Sequence, residues 1–278
     1  MSITTAINPN DSFHLCQMKT IVVPTDFSAS AEHAGLYAAE LAKSIDATVL
    51  LLHVYQMPIT MSDFPVLIIS AEELRNDADK GLQRAKEAAE KVMPGVLFET
   101  ESRLGDIVEE IKDACSKREI VALVAGTKDR SGVEKFLIGD TALSIVKHCS
   151  FPVIAVPENA AIKMPGKIAL ALDDAKDIPV EKIKEFIELF RAQLHIVHID
   201  TGDESVPINL PEGLKDATYH SVKEDDVAKG IHHFVEQNKI DLVLTLPHKH
   251  NLFERIFFKG HTKELINEMP VPVLCIKE

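Results

Sequence analysis

The sequence predicts an α/β protein built from two tandem doubly wound parallel-sheet domains, the second shorter than the first. Three observations carry this. Apolar runs of strand length alternate with helix-period segments, which is the pattern of parallel sheets covered by helices. The strand runs recur: "KTIVVPTD", ending at Asp26, returns as "GKIALALD", ending at Asp173, and "TVLLLHV", ending at Val54, returns as "QLHIVHI", ending at Ile199. Finally, Ile120–Pro157 superposes on Ile240–Lys277 without a gap at a shift of 120, so that Pro152 meets Pro272 and Val153 meets Val273. Self-similarity over this length marks a duplicated domain.

The elements of the first copy follow in order. Ile21–Pro24 is a buried strand. Ser28 or Ser30 caps the next helix, whose inner face is Ala31, Ala34, Ala38, Leu41, Ala42 and Ile45. Thr48–Val54 is the second strand. Ser70 and Glu73 form a capping box that opens a long helix, with Leu74, Ala78, Ala85, Ala89 and Val92 on one side. Val96–Thr100, Val121–Ala125 and Val153–Val156 are three further strands. A helix starting near Asp106 lies between the first two of them, and Ala142–Cys149 forms another helix-like run. The second copy keeps the order but is shorter. His53 to Ile120 is 67 positions, whereas His198 to Ile240 is 42, and the missing 25 match the long helix at Ser70–Val92. The expected organisation is a flexible tail over 1–17, a first domain over 18–157, a linker over 158–165 and a degenerate second domain over 166–278. Met18 is an alternative start to Met1.

Composition excludes several classes. A net charge of −13 argues against nucleic acid or an anionic membrane as a main partner. No apolar run approaches the ~20 residues of a membrane helix. The first 17 residues lack the pattern of a secretory signal, and a cytoplasmic location is expected. Cys16, Cys115, Cys149 and Cys275 form no close pair and read as reduced thiols.

The segment "AGTKDRSGVEKFLIGDT", Ala125 to Thr141, holds the chemistry. It follows a strand, precedes a helix and carries glycines at 126, 132 and 139. Asp26 and Gly126 fall at carboxyl ends of strands, where doubly wound sheets bind ligands. Unpaired N–H groups of a helix starting at Gly139 make that region suited to an anion. Asp129 and Asp140 oppose this. A carboxylate ~4 Å from a phosphate at an effective dielectric of ~20 repels by roughly 4 kcal/mol per unit charge. No catalytic residue and no metal site emerges: there is no nucleophile–base pair, and His248, His250 and His261 read as a solvated polar loop. Asp173 and Asp174 read as a helix cap. His53 and His198 recur at matched strand ends and read as structural ties.

The residues "VVPTDFS" at 22–28, "LLHV" at 51–54, "AGTKDRSG" and "LIGDT" within 125–141, and "PVIAV" at 152–156 carry a resemblance from Met18 to Glu278. The chain resembles a tandem universal stress protein. The resemblance implies a Rossmann-like, adenine nucleotide alpha hydrolase-like fold and a regulatory role in stress response. It implies that Asp26 and Val54 hold adenosine, Val54 through its backbone. Gly126, Gly139 and Thr141 would line the phosphates of ATP, and Lys128 would add positive charge. Pro24, Thr25, Ala125 and Asp140 complete the implied set, Asp140 being either a magnesium ligand or a cap of its own helix. The pairing of the last strands of each half into a pseudo-dimer, and a homodimer, are also implied. In the second copy Leu246 stands for Gly126, Lys259 for Gly139 and Gly260 for Asp140, so a small nucleotide is expected only in the first. Three readings stay open: a nucleotide-sensing stress protein, a nucleotide-free protein-interaction module of the same fold, and a slow ATPase, which lacks a recognisable general base.

Overall fold

A computed structural model of the chain describes residues 18–57, 70–127, 144–145, 148–172, 178–202, 210–246 and 269–277. The first half runs β1 (Lys19–Pro24), α1 (Ala29–Ile45), β2 (Thr48–Tyr55), α2 (Ala71–Val92), β3 (Leu97–Leu104), α3 (Ile107–Ser116), β4 (Glu119–Thr127) and β5 (Val153–Pro157). The second runs β6 (Lys167–Ala171), α4 (Val180–Phe190), β7 (Gln193–Asp200), β8 (Thr218–Lys223), α5 (Val227–Asn238), β9 (Leu242–Thr245) and β10 (Val273–Cys275). Between β7 and β8 the described residues hold only a 3-10 turn, Glu212–Leu214, where the first half has α2.

The fold is two tandem doubly wound units sharing one ten-stranded sheet, in the order β3-β2-β1-β4-β5-β10-β9-β6-β7-β8. Each half is parallel within itself. The two meet through an antiparallel pair in which Val153 faces Cys275, Ile154 faces Leu274 and Ala155 faces Val273. Ile154 and Leu274 are equivalent positions in the repeat, so the pairing reads the same from either half. Two apolar layers cover the faces and both run across the junction. One lies under α1, α2 and α4 and includes Ile21, Val124, Ile154, Leu170 and Leu274. The other lies under α3 and α5 and includes Val22, Leu123, Val153, Val197 and Cys275. Fully burying each such side chain contributes ~1.5–3 kcal/mol, so the junction is held by the same force as either half.

The local signals explain the helices. Ser28 caps α1, its side chain accepting from the Ala31 amide, and Asp46 ends it in the left-handed region at φ 54. The inner face of α1 is mostly alanine, with Ala34, Ala38 and Ala42 buried, which lets its backbone approach the sheet. Ser70 and Glu73 form the reciprocal capping box of α2, and Asp106 caps α3 through the Val108 and Glu109 amides. The N-cap of α4 is Pro179, which makes no side-chain bond; Asp173 and Asp174, read as a helix cap, lie outside the described residues. Eight residues separate β6 from α4, against four between β1 and α1. Both α1 and α4 end on a left-handed cap two residues before the next strand, yet α1 has 17 residues and α4 has 11. At 1.5 Å per residue the start of α4 is therefore set back by about 9 Å.

Candidate functional site

The sheet order reverses direction between β1 and β4: β2 and β3 extend to one side of β1, β4 and β5 to the other. Ligands of doubly wound sheets bind at such a point, beyond the carboxyl ends of the strands. Here those ends are Pro24, Thr25 and Asp26 after β1, Val54 on β2, and Ala125 and Gly126 on β4. Five of these six share the switch point directly, and Val54 reaches it by the following geometry.

Pairing of β1 with β2 stops at Pro24 opposite Leu52, while β2 continues to Tyr55. The last backbone bond on that side runs from the Thr25 amide to the Leu52 carbonyl at 2.9 Å. In a strand, backbone groups of residues i and i+2 point to the same side. The amide and carbonyl of Val54 therefore face the space that β1 has left. Asp26, two residues after β1 ends, is exposed. Its Oδ1 accepts from the Ser28 amide at 3.1 Å and from the Ser28 hydroxyl, and that hydroxyl lies 3.2 Å from the hydroxyl of Ser30. The turn carrying them is tight. Phe27 adopts φ 62, and its amide donates to Oγ1 of Thr25 at 3.0 Å.

His53 fixes the ends of both strands. Its Nδ1 lies 2.7 Å from the Thr25 carbonyl. A carbonyl only accepts, so Nδ1 carries the proton. His198 repeats the arrangement on β7, with Nδ1 3.1 Å from the Leu172 carbonyl. These are the structural ties that repetition in the sequence suggested.

Gly126 has a reason to be glycine that lies inside the protein. A Cβ built on it would lie 2.3 Å from the carbonyl oxygen of Ser30 and 3.1 Å from the Ala31 nitrogen. The end of β4 is thus pressed against the first turn of α1. The matched Leu246 is buried, 8% exposed, in the apolar layer under α4. It projects into the core. Lys128, Gly139, Asp140 and Thr141 lie outside the described residues, as do Asp129, Gly132, Lys259, Gly260 and the histidines at 248, 250 and 261.

Two features were not singled out from the sequence. His195 on β7 is buried, 7% exposed, and its Nδ1 lies 3.1 Å from Nε2 of His220 on β8. Phe234 of α5 packs edge-on against the His220 ring at 4.8 Å. Nε2 of His195 has no partner. A buried unpaired acceptor is less costly than a buried unpaired N–H, so the proton belongs on Nδ1 of His195. Burial, then His220 and Lys167, push this imidazole below its ordinary range. The second feature is Asp241, whose Oδ2 accepts from the Gly166 and Lys167 amides at 2.8 and 2.9 Å while Lys163 pairs with Oδ1. The carboxyl ties the linker to β9. Burial pushes it up, but Lys163 and the two amides outweigh burial and hold it below the usual range. The buried thiols of Cys115, Cys149 and Cys275 are all raised by burial, Cys115 to about 12. They are poor nucleophiles at neutral pH. No helix among the described residues is long and apolar enough to cross a membrane.

Comparison with known proteins agrees with this architecture. The Universal stress protein family matches residues 18–157 and 209–277. A universal stress protein of Methanocaldococcus jannaschii is 31% identical over 144 residues, covering 50% of this chain and 81% of that protein. One from Mycolicibacterium smegmatis is 26% identical over 200 residues, covering 66% of this chain and 65% of its own length. The crystal structure of a universal stress protein from Archaeoglobus fulgidus has the same fold, with a TM-score of 0.61 at 18% identity, covering 93% of this chain and 98% of that one. With its family match spanning most of the sequence in two segments, the chain belongs to the universal stress protein family.

Proposed function

We propose that the first half binds an adenine nucleotide, ATP with magnesium, as a regulatory ligand of a cytoplasmic stress protein, and that the second half serves as its structural partner in a pseudo-dimer. The observation that carries this reading is the overhang of β2 beyond β1, which turns the Val54 backbone and the exposed Asp26 carboxylate toward one crevice. A carboxylate acceptor beside a backbone donor and acceptor suits the hydroxyls of a ribose and the edge of a base. Lys128, Gly139 and Thr141 would meet the phosphates. In the second half β7 likewise runs past β6, whose pairing stops at Ala171 opposite Val197, so the overhang is shared. The restriction to the first half rests on Gly126 and Gly139, which are replaced by Leu246 and Lys259 in the second.

Purified protein, examined for excess absorbance near 260 nm and by mass spectrometry and then titrated with ATP by calorimetry with and without magnesium, tests the reading. One site per chain is expected. Two equivalent sites would refute the asymmetry, and no binding in any condition would refute the nucleotide. The acids at 129 and 140 favour a second reading, a nucleotide-free interaction module. Asp129→Gly with Asp140→Ser separates the two. If repulsion only weakens a nucleotide site, the double change tightens ATP binding by roughly tenfold or more, less so in high salt.

A further inference from the structure

We infer that Phe27 is a positioning residue for this site, clamped between the backbone of α2 at Gly81 and the imidazole of His53, so that α2 is a working part of the first half's binding crevice. The ligand part of the inference rests on the nucleotide reading above; the clamp rests on geometry.

Phe27 sits between Asp26 and Ser28, at the centre of the turn that presents the carboxylate. Its φ of 62 is a conformation that a bulky side chain holds only where its surroundings impose it. Two short bonds fold the turn, from the Phe27 amide to Thr25 and from the Ser28 amide to Asp26. The ring is held from both sides. On one, its centroid lies 4.5 Å from that of His53, which is itself fixed to the Thr25 carbonyl at 2.7 Å. On the other, a Cβ built at Gly81 would lie 2.7 Å from Cζ of Phe27 and 2.8 Å from Cε2. The ring therefore occupies the place of a side chain on α2.

Gly81 is otherwise hard to explain. It stands in the middle of a 22-residue helix composed largely of strong helix formers, where glycine weakens the helix relative to alanine. The close approach of the ring supplies the reason. The second half agrees from the other direction. It has no counterpart of α2 among the described residues, and Asp174 stands where Phe27 would be.

The test is Gly81→Ala in the intact chain, with Phe27→Ala and the double variant. Alanine favours α2, so the helix itself is not weakened. Its methyl must displace the ring, and with the ring Asp26 and Ser28. Expected results are a roughly tenfold loss of ATP affinity by calorimetry for each single variant, and no further loss when Gly81→Ala is added to Phe27→Ala, because the clashing ring is then gone. The His53 side-chain nitrogen signals should shift in Gly81→Ala, while the melting temperature holds or rises. Three outcomes overturn the inference. Unchanged His53 signals in both single variants would show that there is no clamp. Wild-type affinity in Gly81→Ala would show that the clamp does not serve the site and would leave the nucleotide reading standing. No binding by wild-type protein would overturn that reading, and the positioning role for a nucleotide with it, whatever the imidazole reports.

Discussion

The two halves share a sheet order and differ at the end of the fourth strand. In the first half the next-to-last residue of β4 is Gly126, whose absent side chain is replaced by the Ser30 carbonyl of α1. In the second, β9 is followed by Leu246, buried under a helix that begins six residues later relative to its end. The same topological point is therefore solved twice. One solution brings a helix N-terminus up to the strand ends and requires glycine there. The other withdraws the helix and fills the layer with leucine. A helix N-terminus brings unpaired N–H groups and a favourable field for anions, and among the described residues the first half alone has one at this point. The halves thus differ in packing as well as in their motif residues.

The largest expected effects break this contrast directly. Gly126→Ala should cost ~3 kcal/mol in a urea titration, because the methyl meets backbone atoms that cannot step aside. Leu246→Ala should cost a similar ~2–4 kcal/mol for the opposite reason, a cavity. If Gly126→Ala folded with wild-type stability, close packing would not be what that glycine serves. Asp241→Ala comes next, at ~2 kcal/mol, since it strips the Gly166 and Lys167 amides of their acceptor. Val121 stands at the matched position in the first half, so this tie is private to the second. Because the Asp241 carboxyl is held below its ordinary range, its contribution is present above the unfolded carboxylate pKa. It is lost as pH falls through the lower folded value. An Asp241→Ala variant should lack that acid-side decline.

His53→Ala and His198→Ala should each cost ~1 kcal/mol, because the two ties are matched. They should part in binding of the proposed nucleotide. Phe27 leans on His53, so only that variant should weaken ATP, and equal effects on affinity would remove the distinction between the halves. The smallest effect concerns His195, where the first half has Leu50. Its folded pKa is lowered by burial, so the unfolded chain takes up the proton first. Stability should be level above the ordinary histidine range and decline as pH falls through it toward the folded value. His195→Leu should flatten that part of the profile, measured as denaturant midpoint from pH 7.5 to 5.

Much of this was legible in the sequence, for reasons visible in particular residues. The capping box at Ser70 and Glu73 and the cap at Asp106 are local, so residue identity and spacing suffice to place them. The 120-residue shift exposed the second half before any strand was located. What escaped depends on groups far apart in the chain. Nothing near Gly126 reveals that the Ser30 carbonyl lies against it. The left-handed Phe27 runs against the preference of its residue type. The glycine at 81, inside an otherwise strong helix, was the available signal for its clamp. His195 could have been found by aligning it with Leu50, since a histidine in a strand position that its repeat fills with leucine needs a partner. Of the implied site residues, the geometry of Pro24, Thr25, Asp26, Val54, Ala125 and Gly126 is described, while the phosphate side of the crevice rests on sequence.

The antiparallel match of β5 with β10 has a thermodynamic consequence. Two separate chains joined in this way would come apart on dilution, because dissociation gains translational freedom. Here an eight-residue tether from Glu158 to Pro165 holds the two surfaces at an effective concentration on the order of millimolar. Their association is a unimolecular equilibrium, with a midpoint independent of how much protein is present. The arrangement also frees the halves from having to be identical. In an assembly of two copies, a leucine at the position of Gly126 would appear in both. In one chain, it has been placed in a single half while the other keeps its glycine.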